Sequence, residues 1–214
     1  KKWFGDWEND SKNASKVIDE NGEPLVAYHG TRKSFDEFSS DVRPSNYRLG
    51  TINYTFWFTS NKKNSELYGD QIMEVFINSK NPIDIDYTNP ESYREIVVPE
   101  DKSRAMGIDE FNRVKGNIKH SQMTRGIELR IGEDKTIDGI IHRNIKDILL
   151  SDNFQVFSPM QIKSATENEG TFSTETASIR KQKPKSINDI VKLTKDQGFS
   201  DAAIRQYLKE QGYF

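Results

Sequence analysis

The chain has 214 residues, carries a formal net charge of −2 and contains no cysteine. This length accommodates one large domain with a small appendage, and the balanced charge gives no global attraction to nucleic acid or anionic lipid. The lack of cysteine excludes disulfides, thiolate zinc ligands and a cysteine nucleophile, and with three histidines we expect no metal site. No apolar run approaches the roughly 18 residues of a membrane helix, so we expect a soluble protein.

The first half of the chain predicts three strands and one helix. The apolar run 24–29 follows an Asn-Gly turn and stops at Gly30, as a short buried strand does. The aromatic segment 56–59 predicts the second strand, and residues 60–69 predict a short helix. The run 72–78 alternates in polarity and predicts the third strand.

In the second half, helices and strands do not alternate regularly. Residues 90–120 predict helix in two or three pieces, interrupted at Pro99 and Gly107. Residues 138–142 and 154–157 predict two further strands. This order of elements predicts an α+β fold with a mainly antiparallel sheet and not a doubly wound parallel one.

Composition divides the chain into three parts. Residues 166–185 are rich in Thr, Ser, Glu and Lys and poor in large apolar residues, which indicates a solvated linker. Residues 1–165 form the expected main domain, and residues 186–214 predict two short helices. The expected N-caps are Ser186 and Ser200, and the expected stops are Gly198 and Gly212. Because the chain starts at Lys1 without Met, we expect a segment of a longer protein.

Five residues predict one cleft. His29 and Gly30 end the first strand, Trp57 lies in the second, and Ser65 and Tyr68 share a face of the following helix because they are three residues apart. A polar histidine beside a glycine, where a ligand can approach the backbone, suits a planar ligand with an amide group. Each residue alone also has an ordinary explanation. The histidine can be a hydrogen-bonded structural residue, and the tyrosine can belong to the core.

Seven motifs in order resemble the ADP-ribosyltransferase domain found in large polyvalent proteins of phages and mobile elements. They are Trp3-Phe4-Gly5, residues 15–24, Tyr28-His29-Gly30-Thr31, residues 56–59, Asn81-Pro82, residues 138–141 and residues 157–165. The resemblance extends from Trp3 to about Phe172. That domain is similar in turn to the diphtheria-toxin and poly-ADP-ribose polymerase group, which implies a split antiparallel sheet that holds NAD in a central cleft.

The resemblance implies a set of NAD-binding residues. His29 would bond a hydroxyl of the adenosine-side ribose, and the backbone of Gly30 would bond the nicotinamide carboxamide, with Thr31 completing the motif. Ser65, eight residues after the aromatic of the second strand, matches the hydroxyl that binds the carboxamide oxygen. Tyr68, eleven residues after that aromatic, matches the tyrosine that stacks on the nicotinamide ring.

The implied catalytic residues are His29, Trp57 and Asn153. Trp57 stands where many relatives carry a tyrosine at the cleft. Asn153 stands where active relatives carry a glutamate that grips the 2′-hydroxyl of the nicotinamide ribose. Asparagine is neutral and cannot offset developing positive charge, which predicts a loss of about one to two orders of magnitude in rate. Asp152 faces the opposite side of the strand, and Gln155 shares the face of Asn153 but not its depth.

The resemblance implies a mono-ADP-ribosyltransferase that uses NAD as substrate. The acceptor would be a macromolecule, with protein favoured over nucleic acid, and no membrane is involved. The implied setting is the cytoplasm of a bacterial host, reached by expression there or by phage delivery, as for a toxin. The loops 39–54 and 87–135 would read the acceptor.

Other interpretations stay open. Because Asn153 replaces the expected glutamate, the cleft can hold NAD or a nucleotide without chemistry, or the asparagine can have been introduced in place of a natural glutamate. The basic patch 180–185 permits a nucleic-acid-binding protein. The terminal helices can form a docking module similar to ubiquitin-associated folds, or a hairpin folded back on the main domain.

Overall fold

The computed structural model describes residues 3–39, 55–99, 107–167, 176–179, 187–196 and 198–210. Its strands are β1 (Ala27–Thr31), β2 (Phe56–Thr59), β3 (Gln71–Ile77), β4 (Pro82–Asp86), β5 (Gly139–Lys146), β6 (Leu150–Val156) and β7 (Ile162–Ser164). Its α-helices are α1 (Lys62–Ser65), α2 (Ile108–Val114), α3 (His120–Glu133), α4 (Ile187–Asp196) and α5 (Asp201–Glu210). Short 3₁₀ turns cover Ser11–Asn13, Pro90–Tyr93, Lys115–Asn117 and Pro159–Gln161.

Within these residues, seven strands form one sheet in the order β4-β5-β6-β2-β1-β3-β7. Its pairs are antiparallel except β4 with β5, which confirms the predicted α+β fold with a mainly antiparallel sheet. β1 pairs with β3 along its whole length, from Ala27 to Thr31. It pairs with β2 only through Tyr28 and Thr59. The sheet is therefore split between β1 and β2.

The two faces of the sheet carry separate cores because side chains alternate along each strand. One side, the Phe face, carries the buried rings of Phe56, Phe58 and Phe154. The other side, the Trp face, carries the exposed ring of Trp57 and the buried residues Gln155 of β6 and His142 of β5. Helices α2 and α3 contribute to a second core around Ile85 and Ile140. Along β2 the alternation separates an apolar core from a partly polar surface.

The predicted strands and the observed strands differ at their ends. β2 has the predicted bounds, whereas β1 starts three residues later than the run 24–29 and continues to Thr31. β4 and β7 were not predicted. β4 begins at Pro82, which in the sequence indicates a break; at the start of an edge strand a residue without an N–H group is tolerated. β7 has three residues, too few for a recognisable alternation.

The helical prediction for residues 90–120 is partly wrong. Pro90–Tyr93 is a 3₁₀ turn, Gly107 precedes α2 as its N-cap, and the longest helix, α3, begins where the prediction ends. Gly126 lies within α3 and weakens its intrinsic helix propensity. An added Cβ there would lie 1.4 Å from the carbonyl oxygen of Ile96, so the missing side chain lets the helix pack closely.

Part of the predicted linker 166–185 packs against the main core. Ile179 is buried on the Phe face and hydrogen-bonds to both sides: its N–H donates to Asp36 O (2.9 Å), and its carbonyl accepts from Ser164 N (2.7 Å). Lys163 Nζ donates to the carbonyls of Thr176 (2.6 Å) and Ser178 (2.8 Å). The segment 176–179 is thus not solvated as its composition indicates. The division at 165 and 185 stays a prediction.

The two C-terminal helices have a small core of their own, formed by Ile190, Ile204 and Leu208. Gly198 has a positive φ of 83° and its N–H donates to Lys195 O, as a helix stop requires. Ser200 Oγ accepts from Ala203 N (3.3 Å), which confirms its role as an N-cap. Ser186 and Gly212 lie outside the described residues. Among the helices that are described, none has the length and apolar character needed to cross a bilayer.

Candidate active site

The separation of β1 from β2 is bridged by the side chain of His29. Its Nδ1 lies 2.9 Å from the carbonyl oxygen of Trp57 on β2. Because a carbonyl can only accept, Nδ1 carries the proton and donates it. In the neutral ring this leaves Nε2 with a lone pair, so the side chain presents a hydrogen-bond acceptor. His29 is therefore a hydrogen-bonded structural residue, as one of its two interpretations expected. The same hydrogen bond fixes the tautomer of its imidazole.

Three phenylalanines surround the imidazole of His29 on the Phe face. The ring centroids of Phe38, Phe58 and Phe35 lie 5.0, 5.5 and 6.3 Å from that of the imidazole. Burial lowers the pKa of His29, and the hydrogen bond to the Trp57 carbonyl raises it by a smaller amount. The side chain is accordingly neutral at pH 7, the form in which Nε2 accepts.

Helix α1 rests directly on the end of β1. A Cβ added to Gly30 would lie 1.8 Å from the carbonyl oxygen of Ser65 and 3.3 Å from Cβ of Tyr68. A Cβ added to Gly69 would lie 2.1 Å from the carbonyl oxygen of Thr31, whose hydroxyl makes a local turn with Lys33. Both glycines are required by this close packing, whatever ligand the cleft holds.

Ser65 and Tyr68 lie beside Gly30 but differ in accessibility. Ser65 is buried, and its Oγ donates to the carbonyl of Lys62 at 2.6 Å, so the hydroxyl must rotate to donate to a carboxamide oxygen. Tyr68 is 64% exposed and is not a core residue. It lines a depression of about 570 Å³ together with Arg32, Glu66, Leu67, Gly69, Asp70 and Ile72.

An aromatic stack covers the Trp face next to the split. The indole of Trp57 stacks on the imidazole of His142, with centroids 5.2 Å apart and an interplanar angle of 20°. Tyr87 stacks on the same imidazole at 6.0 Å, and its hydroxyl lies 3.1 Å from Nδ1 of His142. Burial raises the pKa of Tyr87, so its hydroxyl stays protonated. The stack fixes the orientation of Trp57, which is 38% exposed.

Asn153 belongs to a polar network on the Trp face. Its Oδ1 accepts from Ser151 Oγ (3.3 Å), and its Nδ2 donates to Asp147 Oδ2 (3.4 Å). Ser151 Oγ in turn accepts from Asn64 Nδ2 (2.9 Å) of helix α1. The Asn64 side chain also donates to the carbonyl of Leu149 in the β5–β6 turn (2.8 Å) and accepts from the N–H of the same residue (3.0 Å).

Side-chain register shows which predicted residues share a face. Asn153 pairs with Thr59, which pairs with Tyr28, so Asn153 lies on the side of the sheet that α1 covers. The imidazole of His29 lies on the opposite side, among the phenylalanine rings. The predicted residues therefore border the split from both faces, and do not line one surface.

Sequence reasoning missed Asn64, Ser151 and Asp147. Their residue types are ordinary for a helix surface, a strand and a turn, and no spacing connects them. Asn64 meets Leu149 and Ser151 across 85 and 87 residues of chain. The one available signal is a carboxamide inside a short helix, which is buried completely in the fold. In the described part of the chain, no group of three or more His, Asp or Glu side chains could hold a metal ion.

The comparison with known protein families matches residues 19–172 to a family described as ADP-ribosyltransferase in polyvalent proteins. This chain belongs to that family. The match contains β1 to β7, the split between β1 and β2, and helix α1. Searches of curated proteins and of solved structures found no match.

Membership assigns ADP-ribosyl transfer to the domain in general, and domains of this family use NAD as their substrate. The residues that surround the split fit such a substrate in chemical type. A neutral imidazole acceptor suits a hydroxyl group, and an exposed phenol ring suits an aromatic ring. The end of β1, which among the described strands pairs with β2 only at Tyr28, suits a carboxamide.

Proposed function

We propose that this domain binds NAD across the split between β1 and β2 and transfers ADP-ribose to a macromolecular acceptor, a protein, one unit at a time. One observation carries the proposal. β1 loses β2 as a partner after Tyr28, and at that point α1 brings Ser65 and Tyr68 onto Gly30. An open strand edge beside an exposed aromatic ring is the arrangement that a planar carboxamide needs.

Each residue at the split has a separate task in this proposal. Gly30 offers backbone groups to the carboxamide, and Tyr68 offers its ring to the pyridine, since it is 64% exposed. His29 accepts a ribose hydroxyl through Nε2, because Nδ1 is committed to Trp57 O. Because the imidazole and the phenol approach from opposite faces, the substrate is extended and passes through the split.

Catalysis in this proposal comes from positioning and from fixed dipoles. The bond between C1′ and the pyridinium nitrogen breaks heterolytically, and positive charge develops on the ribose. Asn153 accepts a hydrogen bond from the 2′-hydroxyl through the remaining lone pair of Oδ1, since Ser151 occupies the other. An uncharged acceptor stabilises that charge less than a carboxylate does, so turnover is slow.

A second candidate function is NAD recognition without chemistry. It is favoured by Asn153 in place of a glutamate and by the hydroxyl of Ser65, which already donates to Lys62 O. Of the two loops predicted to read the acceptor, residues 40–54 lie outside the described residues, and 87–135 contains α2 and α3. The basic patch 180–185 of the nucleic-acid interpretation also lies outside them.

The test incubates the protein with NAD labelled in the adenylate group and with a bacterial lysate, and it measures NAD cleavage and label on macromolecules in parallel. The proposal expects slow cleavage, label that protease removes, and loss of both in Tyr68→Ala. Thermal stabilisation by NAD without cleavage would favour the recognition function. No stabilisation and no cleavage would contradict both.

A further inference from the structure

A carboxylate outside the predicted site touches the residue that replaces the glutamate. Asp147 lies in the turn between β5 and β6, and its Oδ2 is 3.4 Å from Nδ2 of Asn153. The two side chains are six positions apart in sequence. A register shift in β5 between His142 and Ile145 marks a β-bulge just before this turn, and such irregularities redirect the chain that follows.

The turn is held against helix α1. The carboxamide of Asn64 donates to the carbonyl of Leu149 and accepts its N–H, which fixes the backbone two residues after Asp147. The same carboxamide donates to Ser151, which donates to Asn153. One hydrogen-bonded chain thus connects the helix that carries Ser65 with both side chains of the Asn153–Asp147 pair.

The pair also fixes which way the amide of Asn153 points. A carboxylate only accepts, so the nitrogen of the amide faces Asp147 and Oδ1 faces Ser151. Donation to a charged group is stronger than donation to a neutral one and draws electron density toward Oδ1. The negative charge of Asp147 therefore orients and polarises the amide of Asn153.

The carboxylate adjacent to Asn153 in sequence, that of Asp152, has other partners. Asp152 precedes Asn153 and so faces the other side of β6. It accepts from the backbone N–H of Asn144 (3.0 Å), and it forms an ion pair with Arg143 (3.3 Å), which also pairs with Asp84 (2.7 Å). Among the side-chain hydrogen-bond partners of Asn153 in the described residues, Asp147 is the one that carries negative charge.

We propose that Asp147 supplies, through Asn153, the negative charge that the glutamate of relatives supplies directly. The inference rests on the proposed function and makes Asp147 a positioning residue. In NAD hydrolysis the electron pair of the C1′–N bond goes to the pyridinium nitrogen, which leaves as neutral nicotinamide. Water forms the new bond to C1′ and releases one proton to solvent, so ADP-ribose, nicotinamide and H⁺ balance NAD and water. Asp147 forms no bond in this step; it stabilises the positive charge on the ribose.

The experiment measures kcat and KM for NAD hydrolysis in the full chain and in five variants. Asp147→Asn removes the charge and keeps the shape, and Asp147→Glu restores the charge. Asn153→Glu places a carboxylate directly at the site, alone and combined with Asp147→Asn. Glu133→Gln, at the exposed end of α3, is the matched control because it changes the net charge by the same amount.

The proposal expects Asp147→Asn to lower kcat about five- to tenfold, with KM changed less than about twofold. Asp147→Glu recovers most of the rate, and Glu133→Gln leaves it unchanged. When Asn153→Glu is present, removal of the Asp147 charge causes no loss, because the direct carboxylate replaces it.

Two results overturn the inference while the proposed function stands: an unchanged kcat in Asp147→Asn, or the same loss with Asn153 and with Asn153→Glu, which indicates a structural role. If none of the chains cleaves NAD, Asn153→Glu included, the proposed function fails and the inference fails with it.

Discussion

Asn153 is an uncharged side chain between a hydroxyl and a carboxylate, in register with Thr59 on β2. Its position on the strand beside the split is the one at which relatives of this family are expected to carry glutamate. In the proposed mechanism, the rate of NAD turnover therefore depends on this amide in place of a carboxylate.

The first prediction is that Asn153→Glu raises NAD turnover about 10- to 100-fold. A hydrogen bond to a charged acceptor contributes about 1.5 to 3 kcal/mol, compared with about 0.5 to 1.5 kcal/mol for one to a neutral acceptor, and the carboxylate also stabilises the positive charge on the ribose. Asn153→Gln is the control, since it has the same length as glutamate and no charge, and we expect it to stay within about threefold of the unchanged chain. Nicotinamide release measures both, and an unchanged or lower rate in Asn153→Glu would mean that another residue occupies the catalytic position.

The second prediction concerns His29 and pH. Burial lowers the pKa of its imidazole below the ordinary value of 6.5, so as pH falls the unfolded chain binds this proton before the folded chain does. The free energy of unfolding therefore decreases as pH drops below about 6.5, and this decrease ends at the folded pKa. His29→Gln removes this contribution. Urea unfolding measures the free energy of unfolding at pH 7.5 and pH 5.5. We expect it to decrease less between the two pH values in the variant than in the unchanged chain. Equal decreases would contradict a lowered pKa of His29.

Helix α1 is the element that builds the site, although it has only four residues. Its backbone covers the end of β1, its Asn64 side chain holds the β5–β6 turn, and the turn that follows it carries Tyr68. Displacement of this helix should therefore affect several parts of the site at once.

The third prediction tests that role through Gly30. In Gly30→Ala the new methyl group would meet the carbonyl oxygen of Ser65 at 1.8 Å, and since this atom belongs to the backbone the helix must move. We expect a loss of about 1 to 3 kcal/mol in the free energy of unfolding, together with loss of NAD binding. Gly116→Ala is the control, because nothing lies within 4 Å of the added Cβ. Equal stability and NAD affinity in the two variants would show that α1 is not packed as described.

The fourth prediction concerns the contact between β7 and the segment 176–179. Burial lowers the pKa of Lys163 to about 8, and its ammonium group donates to two backbone carbonyls of that segment. Lys163→Met leaves both carbonyls without this donor. The free energy needed to detach the segment from β7 should therefore fall by about 1 to 3 kcal/mol. Amide exchange at Ile179 and Ser164 should accelerate, while Lys146→Met, at the exposed end of β5, should leave it unchanged. Equal protection in both variants would contradict this contact.

At the scale of the whole molecule, local patterns predicted the fold class but not every element. The aromatic and β-branched composition of β2 predicted a strand with the observed bounds, and residues 60–69 predicted a short helix, within which α1 is found. Helix α3 and strand β4 were not predicted, because α3 contains Gly126 and β4 begins at Pro82. At both residues tertiary packing overrides the local propensity.

The site was harder to predict than the fold because it depends on contacts between distant residues. The split can be recognised only from the register of β1 with two neighbours, and no sequence pattern reports that β2 contributes a single pair. The chain from Asn64 to Asp147 joins residues separated by more than 80 positions. The opposite orientations of His29 and Asn153 follow from strand alternation only once the pairing is known.

The central claim is that NAD lies across the split between β1 and β2, with its nicotinamide at Tyr68. A crystal structure of the protein with nicotinamide tests this most directly. We expect the ring against the phenol of Tyr68 and the carboxamide on the backbone of Gly30, with the hydroxyl of Ser65 turned away from Lys62. A nicotinamide bound elsewhere, or a split that stays closed to it at saturating concentration, would contradict the claim.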